Sequence, residues 1–139
     1  MKRRFTAAAV SVVALGLVGC SSGTDALTSH DARVSINGKA TNALQPVTCH
    51  QIGRSWTIET KDKEPGFTAA IETGDVVTAQ VVNIRNLGNF TGTFWGDNLG
   101  KAQAKVSQGR FSVSGEADGF FVDKPNHPVT ATFDITTDC

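Results

Sequence analysis

Short apolar segments with a period of two constrain the fold more than any other feature of this sequence. In the run from 129 to 135 every second side chain is apolar, and Thr or Asp occupies each position between. This alternation is typical of a β-strand with one buried face. From about residue 32 onward the pattern recurs at Val34/Ile36, Trp56/Ile58, Phe67/Ala69/Ile71, Ala102/Ala104/Val106 and Phe111/Val113.

Turn-forming dipeptides separate these segments. Asn37-Gly38 predicts a type I′ turn, and Gln108-Gly109 lies between the two halves of the clearest hairpin. The near-continuous apolar stretch from Val76 to Leu87 is interpreted as a central strand covered on both faces. Threonine, valine and glycine are prominent and tyrosine is missing. These features predict a single all-β domain of about eight short strands, an antiparallel β-sandwich or a partly open barrel.

Residues 1–19 have the organisation of an export signal. Three basic residues, Lys2, Arg3 and Arg4, precede an apolar run of about thirteen residues, whereas a membrane-spanning helix needs about 20. The run ends in Leu17-Val18-Gly19-Cys20, which resembles the lipobox of bacterial lipoproteins. The resemblance implies acylation of Cys20 and cleavage just before it. Two or more acyl chains make a stable membrane anchor.

Residues 20–31 are small and polar, with no hydrophobic spacing, and are interpreted as a lipidated flexible tether. Residues 32–139 then form the β domain. Cleavage removes three of the 13 basic residues, so the mature chain has 10 basic side chains against 13 acidic ones. A mildly acidic chain without a basic run lacks the electrostatic pattern of a nucleic-acid-binding protein.

Cysteine occurs at positions 20, 49 and 139, an odd number for an exported protein. With Cys20 acylated, Cys49 and Cys139 can pair, and both share the phase of the inward-facing residues on their strands. Disulfides persist outside the reducing cytosol. Two buried, unlinked thiols are the alternative.

No catalytic, metal-binding or cofactor-binding constellation is recognisable. No Gly-x-Ser-x-Gly follows a predicted strand, the chain has neither a phosphate loop nor His-Glu-x-x-His, and the three histidines are scattered. The carboxylate pairs Glu59/Glu72 and Asp97/Asp123 are interpreted as solvated side chains. We therefore expect a protein that is not an enzyme and carries no cofactor.

Aromatic residues supply the candidates for contact with a partner. Trp95 is opposite in phase to Phe94 and is followed by Gly-Asp-Asn, so it is predicted to be partly exposed and is the best single candidate for a contact. Trp56 shares its phase with Ile58, which favours a core position. Phe120 and Phe121 cannot both face inward, so one caps an end of the core or is exposed.

Taken together, these motifs resemble one family. They are the lipobox, Ile36-Asn37-Gly38-Lys39, Val47-Thr48-Cys49, Val82-Asn83-Ile84-Arg85-Asn86, Gly92-Thr93-Phe94-Trp95, Lys124-Pro125-Asn126 and the C-terminal run from Phe133 to Cys139. The chain resembles the mycobacterial 19 kDa lipoprotein antigen family, and within it the LppE-type members. The tether is shorter than the long, glycosylated linker of the family's best-known antigen.

The resemblance implies an acylated protein of the mycobacterial envelope, held on the extracytoplasmic face of the cell membrane. Its acylated terminus engages host innate receptors, and the protein acts through contact with envelope or host partners, with a monomer favoured. A lipid or glycolipid carrier is the alternative. It needs an apolar cavity of about 300 Å³ or more, lined by residues such as Phe90, Phe94, Phe111 and Phe133.

Overall fold

A computed structural model describes residues 30–41 and 43–139 of the chain. Ten β-strands and no helix are found there, which confirms the predicted all-β class. The strands are β1 (His30–Ile36), β2 (Lys39–Ala40), β3 (Gln45–Ile52), β4 (Ser55–Thr60), β5 (Gly66–Glu72), β6 (Thr78–Leu87), β7 (Phe90–Trp95), β8 (Lys101–Ser107), β9 (Arg110–Phe121) and β10 (Val129–Asp138). Predicted signal residues 1–19 and most of the predicted tether lie outside this description.

The strands pair antiparallel in a ring. Following hydrogen-bonded neighbours leads through β1, β3, β4, β5, β6, β7, β9 and β10 and back to β1. Strand β2 pairs beside β1, and β8 pairs with the first half of β9. This arrangement agrees with the predicted sandwich or partly open barrel, and the two extra strands lie beside a ring of eight.

The interior is filled by the residues that the period-two pattern places on one face. Strand β10 alternates buried and exposed positions along its length, with Ala131, Phe133 and Ile135 each no more than 2% exposed. Strand β5 alternates buried and half-buried positions, with Phe67, Ala69 and Ile71 buried. The core is therefore the inner surface of the ring.

Both predicted turns have the backbone that the sequence requires. Asn37 and Gly38 have φ values of 50° and 78°, and Gln108 and Gly109 have 51° and 76°. Positive φ at both central residues is the signature of a type I′ turn. The second turn joins β8 to β9. Their residues pair antiparallel, from Ser107 opposite Arg110 to Lys101 opposite Glu116, so the predicted hairpin is confirmed.

Two segments differ from the sequence-based expectation at their starts. The apolar stretch at Val76 is not in a strand: β6 begins at Thr78, and Val76 is 74% exposed in the preceding connection. Within β6, residues on one face are buried and those on the other are mostly half-buried, so the two faces of the strand are covered to different degrees. Strand β1 begins at His30, within the predicted tether, because His30 and Asp31 pair with Val47 and Pro46 of β3.

The ring has two ends, which we name for the rest of the article. At the proximal end β1, β4, β6 and β9 begin and β3, β5 and β10 end, so the described domain starts there at His30. At the distal end lie the turn at residues 37–38, the β6–β7 turn at 88–89 and the β9–β10 connection at 122–128.

Candidate functional site

A disulfide joins the strands on either side of β1. Cys49 of β3 and Cys139 after β10 are bonded, with Cα atoms 6.0 Å apart, an ordinary separation for a disulfide. Strand β1 lies between β3 and β10 in the ring and begins at His30, which pairs with Val47. The bond therefore links β3 to β10 just beyond the start of β1, where no strand lies between them.

The interior offers no room for a carried lipid among the described residues. The four phenylalanines that would line such a cavity, Phe90, Phe94, Phe111 and Phe133, are at most 3% exposed and belong to the packed core. Trp56 is half-buried, packs against this core and has its ring centroid 4.9 Å from that of Phe111. The predicted core position of Trp56 is thus confirmed, and aromatic rings occupy the space.

A groove of about 1010 Å³ lies instead at the distal end, open to solvent. The β1–β2 hairpin, the β6–β7 turn and the β9–β10 connection form its walls. Phe121, Val122 and Val129 contribute apolar surface, and Asn86 and Asn89 contribute amides. Phe121 also packs against Phe90, with ring centroids 5.3 Å apart, so it caps the core as the sequence suggested for one member of the Phe120–Phe121 pair.

Trp95 is exposed, as its phase predicted: it is 61% exposed, whereas Phe94 is 3% exposed. The indole sits where β7 ends and residues 96–100 leave the sheet before β8 continues beside β9. The backbone N–H of Trp95 donates to the carbonyl of Leu99 at 2.9 Å, and the backbone N–H of Leu99 donates to the carbonyl of Trp95 at 3.1 Å. The backbone N–H of Gly96 donates to the carbonyl of Gln80 at 2.8 Å. We call residues 95–100 the Trp95 loop, and these bonds hold it in one shape.

The charged groups do not assemble into reactive chemistry. In the described ranges, 30–41 and 43–139, no three His, Cys, Asp or Glu side chains lie close enough to hold a metal ion. Glu59 is opposite Thr68 and Glu72 is opposite Ser55, four residues apart along β5 and so about 13 Å. Arg110 Nε donates to Asp138 Oδ1 at 3.0 Å, and this bond raises the pKa of Arg110, which is already protonated at any physiological pH.

A comparison with protein families decides the relationship. Residues 25–139 match the model of the Mycobacterium 19 kDa lipoprotein antigen. The chain belongs to this family.

The chain is also similar to individual mycobacterial proteins named as lipoproteins. A probable lipoprotein, LppE, of Mycobacterium tuberculosis is 34% identical over 129 residues, covering 92% of this chain and 91% of the relative. A putative lipoprotein of Mycobacterium avium subsp. hominissuis is 35% identical over 141 residues, covering 100% and 97%. Another, of Mycobacterium indicus pranii, is 32% identical over 140 residues and covers both chains completely.

Membership of the 19 kDa lipoprotein antigen family assigns the chain to the membrane-anchored lipoproteins of the mycobacterial envelope. The family is one of lipoprotein antigens and not of enzymes. The predicted anchor residue, Cys20, lies outside the described residues. Within the described part of the chain there is no helix with the length and hydropathy needed to cross a bilayer.

Sequence reasoning missed two surfaces of this family member. The distal groove is built from three connections that are far apart in the sequence, and no motif marks it. Ile52 is 84% exposed at the end of β3. A signal for Ile52 was present, because it is out of phase with Val47 and Cys49, but its neighbours in space could not be inferred from that.

Proposed function

We propose that the chain is a lipid-anchored, non-enzymatic envelope protein, cleaved before Cys20 and acylated on it. The β domain is held at the extracytoplasmic face of the cell membrane and acts as a monomer through contact with envelope or host partners. The observation that carries the proposal is family membership combined with the position of Cys20. A lipobox cysteine stands ten residues before the first strand of a disulfide-closed domain.

The Trp95 loop supports action by contact. Tryptophan is enriched among residues that dominate binding energy at protein interfaces, and this indole is exposed on a loop whose backbone is held by hydrogen bonds. Because the loop is already ordered, a partner would not have to order it on binding. The acylated N-terminus is a second contact, which we propose is recognised by a host innate receptor.

Replacing Cys20 tests the anchor. The Cys20→Ala chain, expressed in a mycobacterial host, should leave the membrane fraction for the soluble fraction or the medium, because no sulfur remains to carry acyl chains. Intact-mass measurement of the wild-type protein should show the acyl groups on residue 20 and no leader. Wild-type protein that keeps its leader and an unmodified thiol, or a Cys20→Ala chain that stays membrane-bound after its leader has been removed, would contradict the proposal.

The distal groove favours a second candidate function, carriage of a lipid or glycolipid. Its volume is at the upper limit of the usual range for small-molecule sites, and apolar side chains adjoin the amides of Asn86 and Asn89. An amphiphile would place its acyl chain along Phe121 and Val122 and its polar group against the amides. This version of the carrier hypothesis uses the end of the ring instead of its interior.

A further inference from the structure

Two aliphatic side chains project from the proximal end. Ile52, the last residue of β3, is 84% exposed, and Val76 is 74% exposed in the β5–β6 connection. Burying such side chains is favourable, so two largely exposed aliphatic side chains on neighbouring loops form a surface that another apolar phase can cover.

The two side chains belong to one structural unit. The β3–β4 and β5–β6 connections are two strand spacings apart, about 10 Å. Thr73 donates from its N–H at 2.8 Å and from its hydroxyl at 3.0 Å to the carbonyl of Arg54. Arg54 also pairs with Glu72 at 3.6 Å. Ile52 and Val76 are therefore presented together on bonded loops.

The anchored segment enters the domain at this same end. His30 begins β1 at the proximal end and lies ten positions after Cys20 in the chain. A polypeptide spans at most about 3.3–3.6 Å per residue, so His30 lies within about 35 Å of an acylated Cys20. The distal groove is at the opposite end of the ring. The anchor thus keeps Ile52 and Val76 near the bilayer at a high effective concentration.

From these observations we propose that the proximal end docks on the phospholipid bilayer, with Ile52 and Val76 inserted at the headgroup boundary. The inference rests on the proposed function, because the anchor supplies the proximity. The docked domain directs the distal groove away from the membrane.

The two arginines at this end are paired with carboxylates, which favours apolar over cationic attachment. Arg54 is paired with Glu72, Arg110 is paired with Asp138 at 3.0 Å, and Asp75 adds a negative charge beside Val76. Binding through a basic patch would require unpaired cations facing anionic lipid. Docking by aliphatic insertion should therefore be as strong on zwitterionic vesicles as on anionic ones.

Hydrogen–deuterium exchange with mass spectrometry tests the docking. The acylated full chain on phosphatidylcholine vesicles is compared with the Cys20→Ala chain in solution. Amides of residues 52–55 and 73–77 should exchange at least about threefold more slowly on the vesicles, whereas residues 122–128 at the distal end should exchange equally in both. Adding anionic lipid should leave the pattern unchanged.

Paired variants of the acylated chain make the test specific. Ile52→Asp with Val76→Asp should abolish the protection while the protein still co-sediments with vesicles. Val122→Asp, an exposed aliphatic position at the distal end, should retain it. Unprotected proximal loops in co-sedimenting wild-type protein, or protection that persists in the double variant or needs anionic lipid, would overturn the docking alone. Failure of the wild-type chain to co-sediment would overturn the anchor as well.

Discussion

Thr60 shows how a single buried hydroxyl can hold a connection. It lies at the end of β4 and is 6% exposed. Its Oγ1 accepts the N–H of Phe67 at 3.0 Å and donates to the carbonyl of Asp62 at 2.6 Å. Gly66 packs so closely that a Cβ there would meet this oxygen. The hydroxyl thus satisfies backbone groups on both sides of the β4–β5 connection.

Thr60→Val keeps the shape of the side chain and removes the hydroxyl. The N–H of Phe67 then remains buried without an acceptor, and we expect the free energy of unfolding to fall by about 1–3 kcal/mol. Urea unfolding of the β domain measures the change. Thr130→Val is the matched control, because the Thr130 hydroxyl donates to Asp118 Oδ1 at an exposed site. Equal losses in the two variants would contradict the role of Thr60.

At the scale of elements, the hairpin turns could be predicted from the local sequence, whereas the residues at which strands begin could not. The Asn37-Gly38 and Gln108-Gly109 turns were predictable because positive φ at two successive residues is a local demand. The start of β6 was not, because Val76 is apolar yet pairs with no neighbour, and pairing depends on where β5 ends. Strand β1 likewise reaches back to His30 because β3 offers Val47 as its partner.

The disulfide between β3 and β10 is the element-scale contact with the largest expected effect. Cys49 and Cys139 are 90 residues apart, and the chain-entropy model assigns about 4–5 kcal/mol to a loop of that length. The unfolding free energy should fall by about this amount in Cys49→Ala/Cys139→Ala, measured by urea unfolding in a Cys20→Ala background. Reductant should lower the stability of the parent and leave the double variant unchanged. A parent whose unfolding midpoint does not respond to complete reduction would contradict this expectation.

At the scale of the whole molecule, ring closure separates the interior from the sites of contact. Strand β10 pairs with β9 on one side and β1 on the other, joining the two ends of the described chain. Phenylalanine side chains fill the space inside, and the groove and the exposed residues are left at the ends and the side. Within the described residues, the exposed surfaces are therefore at the ends and on the outside of the ring.

Native mass spectrometry of protein purified from a mycobacterial host separates the two candidate functions. If the domain acts by contact alone, the Cys20→Ala chain should have the mass of the polypeptide without a lipid. A retained lipid would instead favour carriage. In that case Val122→Asp should release the lipid, because it places a charge on the apolar side of the groove, and Val76→Asp at the other end should not.

The sequence by itself determined the properties that depend on neighbouring residues. Period-two alternation specified the all-β class and most inward-facing side chains, and the opposite phases of Phe94 and Trp95 predicted which of them is exposed. The family could be recognised from motifs that are short and contiguous. The shared inward phase of Cys49 and Cys139, with Cys20 assigned to acylation, indicated their pairing.

Only the tertiary structure decided which distant segments meet. The distal groove combines three connections, and the proximal surface combines Ile52 with Val76, 24 positions later in the chain. Alternation specifies the face of a strand but not its neighbour, because every strand here can in principle hydrogen-bond to any other. Strand order and register arise from burying all the inward faces at once, and the surfaces at both ends of the ring follow from that order.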